Sequence, residues 1–268
     1  MRHLRPMTLL GSLLLAVVAA LTGTAAAQAA EQAARGPYVA LGDSYSSGVG
    51  AGDYIGSSGD CKRSTKAYPY LWAGLNSPSS FSFTACSGAR TGDVVAGQLG
   101  PLNSSTSLVS ISVGGNDAGF ADVMTTCVTS SDSTCLARID TARAYVTSTL
   151  PGKLNTVYSA IRSKAPNARV AVFGYPRFYK LGTVCIGLSE TKRKAINDAS
   201  DLLNSVISER ARSYGYVFAD VRGMFTGHEI CSGSSWLHSV DWTNIGNSYH
   251  PKAVGHSSGY LPVFQSVD

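Results

Sequence analysis

Gly42-Asp43-Ser44-Tyr45-Ser46-Ser47-Gly48 follows directly on the apolar run Tyr38-Val39-Ala40-Leu41. A buried strand that ends in Gly-Asp-Ser must turn sharply, and the turn lifts one hydroxyl clear of a sheet edge. Gly, Asp and Ser also build ordinary turns, so the tripeptide acquires chemical meaning only from its surroundings. Ser44 is the candidate nucleophile, and a serine hydroxyl needs a base within hydrogen-bond reach and donors for the oxyanion that develops.

Working outward, apolar runs recur at 81–85, 108–113, 169–173 and 216–219, and helical patterns lie between them within 67–76, 139–165 and 190–214. Short, nearly continuous apolar strands separated by helices predict an α/β fold with a parallel sheet covered on both faces. The segment 251–264 starts with Pro251 at an expected first helical position. Residues 56–59 and 130–133 read as surface loops, and no repeat or low-complexity linker divides the chain.

In open α/β sheets ligands bind at the carboxyl ends of strands. Each polar signature here follows a predicted strand or sits in a late loop: Cys86-Ser87-Gly88-Ala89-Arg90-Thr91-Gly92-Asp93 after the second, Gly114-Gly115-Asn116-Asp117 after the third, and Asn247-Ser248-Tyr249-His250-Pro251 near the C-terminus. His250 is the candidate base, taking the Ser44 proton and returning it to a leaving alcohol. The backbone N–H groups of Ser44 and Gly88 and the amide of Asn116 are candidate oxyanion donors. Gly88 as a plain turn residue and Asn116 as a helix cap are the structural alternatives.

The N-terminus carries Arg2 and Arg5, an apolar stretch over 9–21, and Ala27-Gln28-Ala29. Basic, apolar and small residues in that order predict a secretory signal peptide over 1–34, cleaved between 29 and 34, rather than a membrane anchor. Residues 35–268 then form one domain, and the product is secreted and extracellular. The full chain has 22 basic and 17 acidic side chains, a net charge of +5. That mild excess suits approach to an anionic lipid surface but is also ordinary for solvated surface. The basic trio Lys192-Arg193-Lys194 has no aromatic interleaving, so no nucleic-acid partner is expected. Six cysteines in an exported domain are expected to pair. Of fifteen pairings, sequence neighbours give the simplest: Cys61-Cys86, Cys127-Cys135 and Cys185-Cys231. No C-x-x-C pair or zinc-type spacing occurs, so no metal is expected. Gly48-Val49-Gly50-Ala51-Gly52 lacks dinucleotide-loop spacing because Asp53 stands where the third glycine belongs, and neither a phosphate loop nor a G-x-S-x-G elbow is present, so no cofactor is expected.

GDSYSSG, CSGARTGDV, GGNDAGF and NSYHP, in that order, resemble the sequence blocks of the GDSL, or SGNH, hydrolase family, and within it the secreted Streptomyces lipase and phospholipase A1 group. The resemblance spans nearly all of the mature chain. It implies a three-layer α/β/α sandwich on a flavodoxin-like parallel five-stranded sheet, and metal-independent cleavage of carboxylic esters. It maps Ser44 onto the nucleophile, Gly88 and Asn116 onto the oxyanion hole and His250 onto the base, and it implies the three neighbouring disulfides. The family usually carries Asp three residues before the histidine, where this chain has Asn247. The backbone carbonyl of Ser248 is therefore the candidate group orienting His250, with Asp241 and Asp220 as alternative acids. His228, His238 and His256 lie outside the family blocks and read as structural or exposed.

The expected substrates are lipid esters, including the sn-1 acyl bond of glycerophospholipids, met by a monomer that contacts lipid aggregates at their interface. The alternatives are a carbohydrate or aryl acetyl esterase, a phospholipase D-type phosphodiesterase, and a non-catalytic lipid- or glycan-binding module.

Overall fold

The computed structural model describes residues 35–268, so the expected signal peptide lies outside the described residues. Five strands, β1 (Tyr38–Gly42), β2 (Phe81–Phe83), β3 (Leu108–Ser112), β4 (Arg169–Phe173) and β5 (Val217–Ala219), form one parallel sheet in the order β2-β1-β3-β4-β5. All five residues of β1 and of β3 are buried, as near-continuous apolar runs between two helical layers require. β1 lies between β2 and β3, with Gly42 opposite Ser112. The α/β sandwich expected from the sequence is the observed architecture.

The helices are α1 (Ser44–Ser47), α2 (Tyr68–Asn76), α3 (Phe120–Thr129), α4 (Asp132–Ser148), α5 (Leu150–Lys164), α6 (Glu190–Ser213) and α7 (Leu261–Val267), with shorter helical turns at Thr91–Asp93 and Arg222–Phe225. One layer is aromatic. Tyr38, Trp72 and Phe264 meet with ring centroids 5.0 to 5.6 Å apart, and Tyr68 packs on Phe173 at 4.4 Å. The other layer is aliphatic, with Leu150, Leu154, Val157 and Ile161 of α5 and Ile207 of α6 fully buried.

Several expectations change. The helical pattern within 139–165 falls on two helices, because Pro151 is tolerated only in a first turn and the chain restarts at Leu150. The loop read at 130–133 is the start of α4: Ser131 caps it, accepting the Thr134 N–H. Helix α3 carried no helical signal, since Thr125, Thr126, Val128 and Thr129 are β-branched and weak helix formers. It is fixed instead by the Cys127–Cys135 bond to α4. Residues 56–59 form part of a 3-10 segment, Gly56–Cys61. Pro251 does not open a helix; it pairs with Leu237 in an antiparallel bridge, and the last helical stretch begins two residues later.

The basic trio is not a solvated cluster. Lys192 and Arg193 are buried, with Lys192 Nζ donating to the carbonyls of Cys127 and Ser130 at 2.9 and 2.6 Å and Arg193 donating to those of Lys180 and Thr183. Only Lys194 points outward, to Asp198. The disulfides pair as sequence neighbours, Cys61–Cys86, Cys127–Cys135 and Cys185–Cys231.

Candidate active site

Ser44 stands at the first position of α1, directly beyond the carboxyl end of β1. Gly42 makes that turn feasible. Its φ is +123°, and a Cβ there would lie 2.4 Å from the Ser112 carbonyl oxygen. The Gln98 amide holds the turn from its other side, accepting the Gly42 N–H at 2.7 Å and donating to its carbonyl at 2.9 Å.

Asp43 caps α1 and is almost completely buried. Its carboxylate accepts from the Tyr45 N–H at 3.0 Å, the Ser112 hydroxyl at 2.7 Å and the Tyr175 hydroxyl. Burial lifts the carboxyl to about 6, against the downward pull of those hydrogen bonds. The sequence marked Asp43 only as a turn former; that it anchors β1, β3 and the loop after β4 to one another was not visible, because its partners lie 69 and 132 residues away.

His250 arrives from the late loop with its Nε2 2.7 Å from Ser44 Oγ and its Nδ1 3.1 Å from the Ser248 carbonyl oxygen. A carbonyl can only accept, so Nδ1 carries the proton and Nε2 faces Ser44 as an acceptor. Burial draws the imidazole down to about 4; Ser248 opposes this, while His238 and Lys62 add to it. The loop is set by a two-stranded pairing in which the His238 N–H donates to the His250 carbonyl and the Tyr249 N–H to that of His238. Tyr249 itself has φ +68°, a strained value for a bulky residue. The Tyr45 hydroxyl holds it by donating to the Tyr249 carbonyl at 2.6 Å. The neighbours of Ser44 and His250 thus bond to each other.

Neither alternative acid reaches the imidazole. The Asp241 carboxylate accepts from the N–H groups of Thr243 and Asn244, and Asp220 pairs with Arg222. The remaining histidines are occupied elsewhere: His228 stacks on Trp236, His238 bonds the Gly50 carbonyl, and His256 is buried beside Tyr68. Among the described residues no group of three or more His, Cys, Asp or Glu is arranged to hold a metal ion.

Asn116 donates one amide hydrogen to the Ala89 carbonyl at 3.0 Å, which ties the loop after β3 to the loop carrying Gly88. It is not a cap. Gly88 is exposed with φ +78°, and a Cβ there would meet nothing within 4 Å, so conformation rather than space calls for glycine. Among the described residues, the N–H groups of Ser44 and Gly88 have no hydrogen-bond partner.

Ser44 and Asn116 open onto a cavity of about 710 Å³, including its mouth, between α3, α4 and α6. Phe120, Met124, Ile139, Val146, Phe178 and Leu203 give it an apolar lining. The aromatic residues near the signature blocks were visible in sequence. The α3 and α4 walls were not, because α3 had no periodic signal.

Residues 40–257 match the model of the GDSL-like Lipase/Acylhydrolase family. The chain is 73% identical over 267 residues to Lipase 1 of Streptomyces coelicolor, covering the whole of both chains. Among solved structures, the crystal structure of phospholipase A1 from Streptomyces albidoflavus superposes with a TM-score of 0.87 at 66% identity, over 88% of this chain and 100% of that one. The extracellular lipase of Streptomyces rimosus superposes with a TM-score of 0.85 at 62% identity, over 87% and 100%. With its strand-end serine, its late histidine and its match over most of its length, the chain belongs to the GDSL-like lipase/acylhydrolase family.

Proposed function

We propose that this chain is an exported serine ester hydrolase that cleaves acyl ester bonds of lipids, including the sn-1 bond of glycerophospholipids. The observation that carries this reading is the 2.7 Å contact between Ser44 Oγ and His250 Nε2 at the mouth of an apolar cavity. Relatives named lipase and phospholipase A1 support the substrate class.

In the proposed reaction His250 Nε2 takes the Ser44 proton as Oγ attacks the acyl carbonyl. The oxyanion is met by the Ser44 and Gly88 N–H groups and by the second amide hydrogen of Asn116, donors free of other bonds. His250 then protonates the departing alcohol, and water attacks the acyl-Ser44 ester with His250 again as base. The imidazole is neutral above about pH 4, so it is ready to accept a proton across the neutral range. Its partner in orientation is the Ser248 carbonyl, which fixes the tautomer without supplying charge.

The acyl chain is assigned to the cavity between α3, α4 and α6, whose apolar walls match a hydrocarbon chain. All these groups come from one chain, so a monomer suffices. Residues 1–34 are proposed as the signal peptide. Among the described residues no helix is long and apolar enough to cross a membrane.

The test is hydrolysis of a medium-chain p-nitrophenyl ester and of phosphatidylcholine by wild type and Ser44→Ala, with products identified by mass. Fatty acid from both substrates with wild type, and from neither with the variant, is the expected result. Release of choline or phosphatidic acid would overturn the acyl-enzyme reading.

A further inference from the structure

The apolar cavity accounts for one side of Ser44. On the β2 side a second cavity of about 880 Å³, open to solvent, is walled by the Cys61–Cys86 disulfide, Arg63, Phe83, Gly88 and Gln98. It adjoins the same turn, because Gln98 bonds both backbone groups of Gly42 and the Cys86 N–H donates to the Gly42 carbonyl. The two cavities meet at the proposed oxyanion donors. Asn116 lines the first, Gly88 and Ala89 line the second, and the Asn116 amide bonds the Ala89 carbonyl.

An ester has two halves. Once the acyl chain lies in the apolar cavity and its carbonyl faces the donors, the alcohol half must extend the other way. The wall it meets carries one guanidinium, that of Arg63. Arg63 lines it half-buried; Lys62, its neighbour in sequence, lies outside the lining and holds its Nζ against the loop that carries His250, 3.4 Å from where a Cβ on Gly246 would sit. The proximity of Lys62 also helps depress His250. Among the described residues neither cation has a carboxylate within ion-pair distance, whereas Lys66, Arg138 and Arg177 each do. Asp93 is the acid on this wall, and one of its oxygens accepts the Arg90 N–H at 2.9 Å. A half-buried guanidinium with no carboxylate partner is suited to fork two hydrogen bonds onto a phosphate.

We infer that this second cavity is the subsite for the alcohol half of the ester, and that Arg63, seconded by Lys62, selects alcohols carrying a phosphodiester. The inference rests on the proposed function above. In the step concerned the Ser44–acyl bond forms, the ester C–O bond breaks, and the lysophospholipid alkoxide takes its proton from His250. The phosphodiester stays intact.

The experiment uses substrates below their aggregation concentration, so that adsorption to a lipid surface plays no part: dihexanoyl phosphatidylcholine and the uncharged 1,2-dihexanoylglycerol. Wild type, Arg63→Gln, Arg63→Lys and Lys62→Gln are compared. Arg63→Gln is expected to raise KM for the phospholipid about tenfold, the loss of one charge-assisted contact. The ratio of kcat/KM for phospholipid to that for diacylglycerol falls with it, while Arg63→Lys recovers part of the ratio and Lys62→Gln gives a smaller fall. Inorganic phosphate is expected to compete with phospholipid in wild type and less so in Arg63→Gln. A parallel loss on both substrates would assign Arg63 a structural role and overturn the inference. So would an unchanged ratio, including the case in which inorganic phosphate inhibits but KM for phospholipid does not move. If Ser44→Ala is as active as wild type, the site reading itself fails; if Ser44→Ala is inactive and the ratio holds in Arg63→Gln, only the subsite fails.

Discussion

Replacing Asp43 with Asn tests the buried carboxylate beneath Ser44. Raising a carboxyl from 3.8 to about 6 means that its ionised form costs the folded state about 3 kcal/mol, at about 1.4 kcal/mol per pH unit. The folded value is the higher one, so the unfolded chain releases its proton first as pH rises. The penalty is absent below the unfolded value near 4, grows between about pH 4 and 6, and is complete above 6. Asparagine keeps one oxygen to accept from Tyr45 and Ser112, and it removes the charge. Its NH2 group, however, faces the Tyr175 hydroxyl, which donates to the Asp43 carboxylate in wild type and would meet a second donor in its place, a mismatch of about 1 kcal/mol. The variant is therefore expected to be about 2 kcal/mol more stable than wild type near pH 7 and about 1 kcal/mol less stable near pH 4. Urea unfolding of both proteins across that range reads the difference directly. The opposite pH dependence of carboxylates held low by hydrogen bonds, such as Asp220, cancels in the comparison. A stability difference that does not change with pH would refute the claim that burial governs Asp43.

His250→Ala is expected to lower kcat/KM by about 10³- to 10⁴-fold, whereas Asn247→Ala costs less than about tenfold, since the Asn247 side-chain oxygen is buried without a partner and the imidazole bonds Ser248 and Ser44 instead. Equal losses at the two positions would show that Asn247, not the Ser248 carbonyl, supports the imidazole. Because the base must be unprotonated, the acid limb of the pH–kcat/KM profile is expected to rise through about pH 4; a limb centred at the ordinary histidine value would contradict the buried environment. Ala142→Phe, placed in the cavity wall, is expected to lower activity on decanoyl esters about tenfold or more while sparing acetyl esters, which a chain-length series would measure.

The sheet was legible because its central strands are buried on both faces, and a run such as Arg169–Phe173 needs only local composition to be recognised. Ser44, Gly88, Asn116 and His250 could be named as candidates because each follows a strand or sits in a late loop within a short motif. What escaped depends on partners far away in sequence. Helix α3 owes its form to a disulfide and to packing, against its own propensity. The burial of Lys192 follows from carbonyls 62 and 65 residues earlier, and a charged trio at a helix start gives no hint of it. Arg63 was equally silent, since it shares a wall with Gly88 only when Cys61 is joined to Cys86.

The bond from the Tyr45 hydroxyl to the Tyr249 carbonyl links two segments 204 residues apart, and the proposed nucleophile and base are separated by 206. During synthesis the serine emerges 206 residues ahead of its partner. Until the late loop closes over α1, the chain holds a hydroxyl with no proton acceptor. The proposed Ser44–His250 pair therefore exists only in the closed fold, and a nascent or unfolded chain lacks the contact on which the proposed chemistry depends.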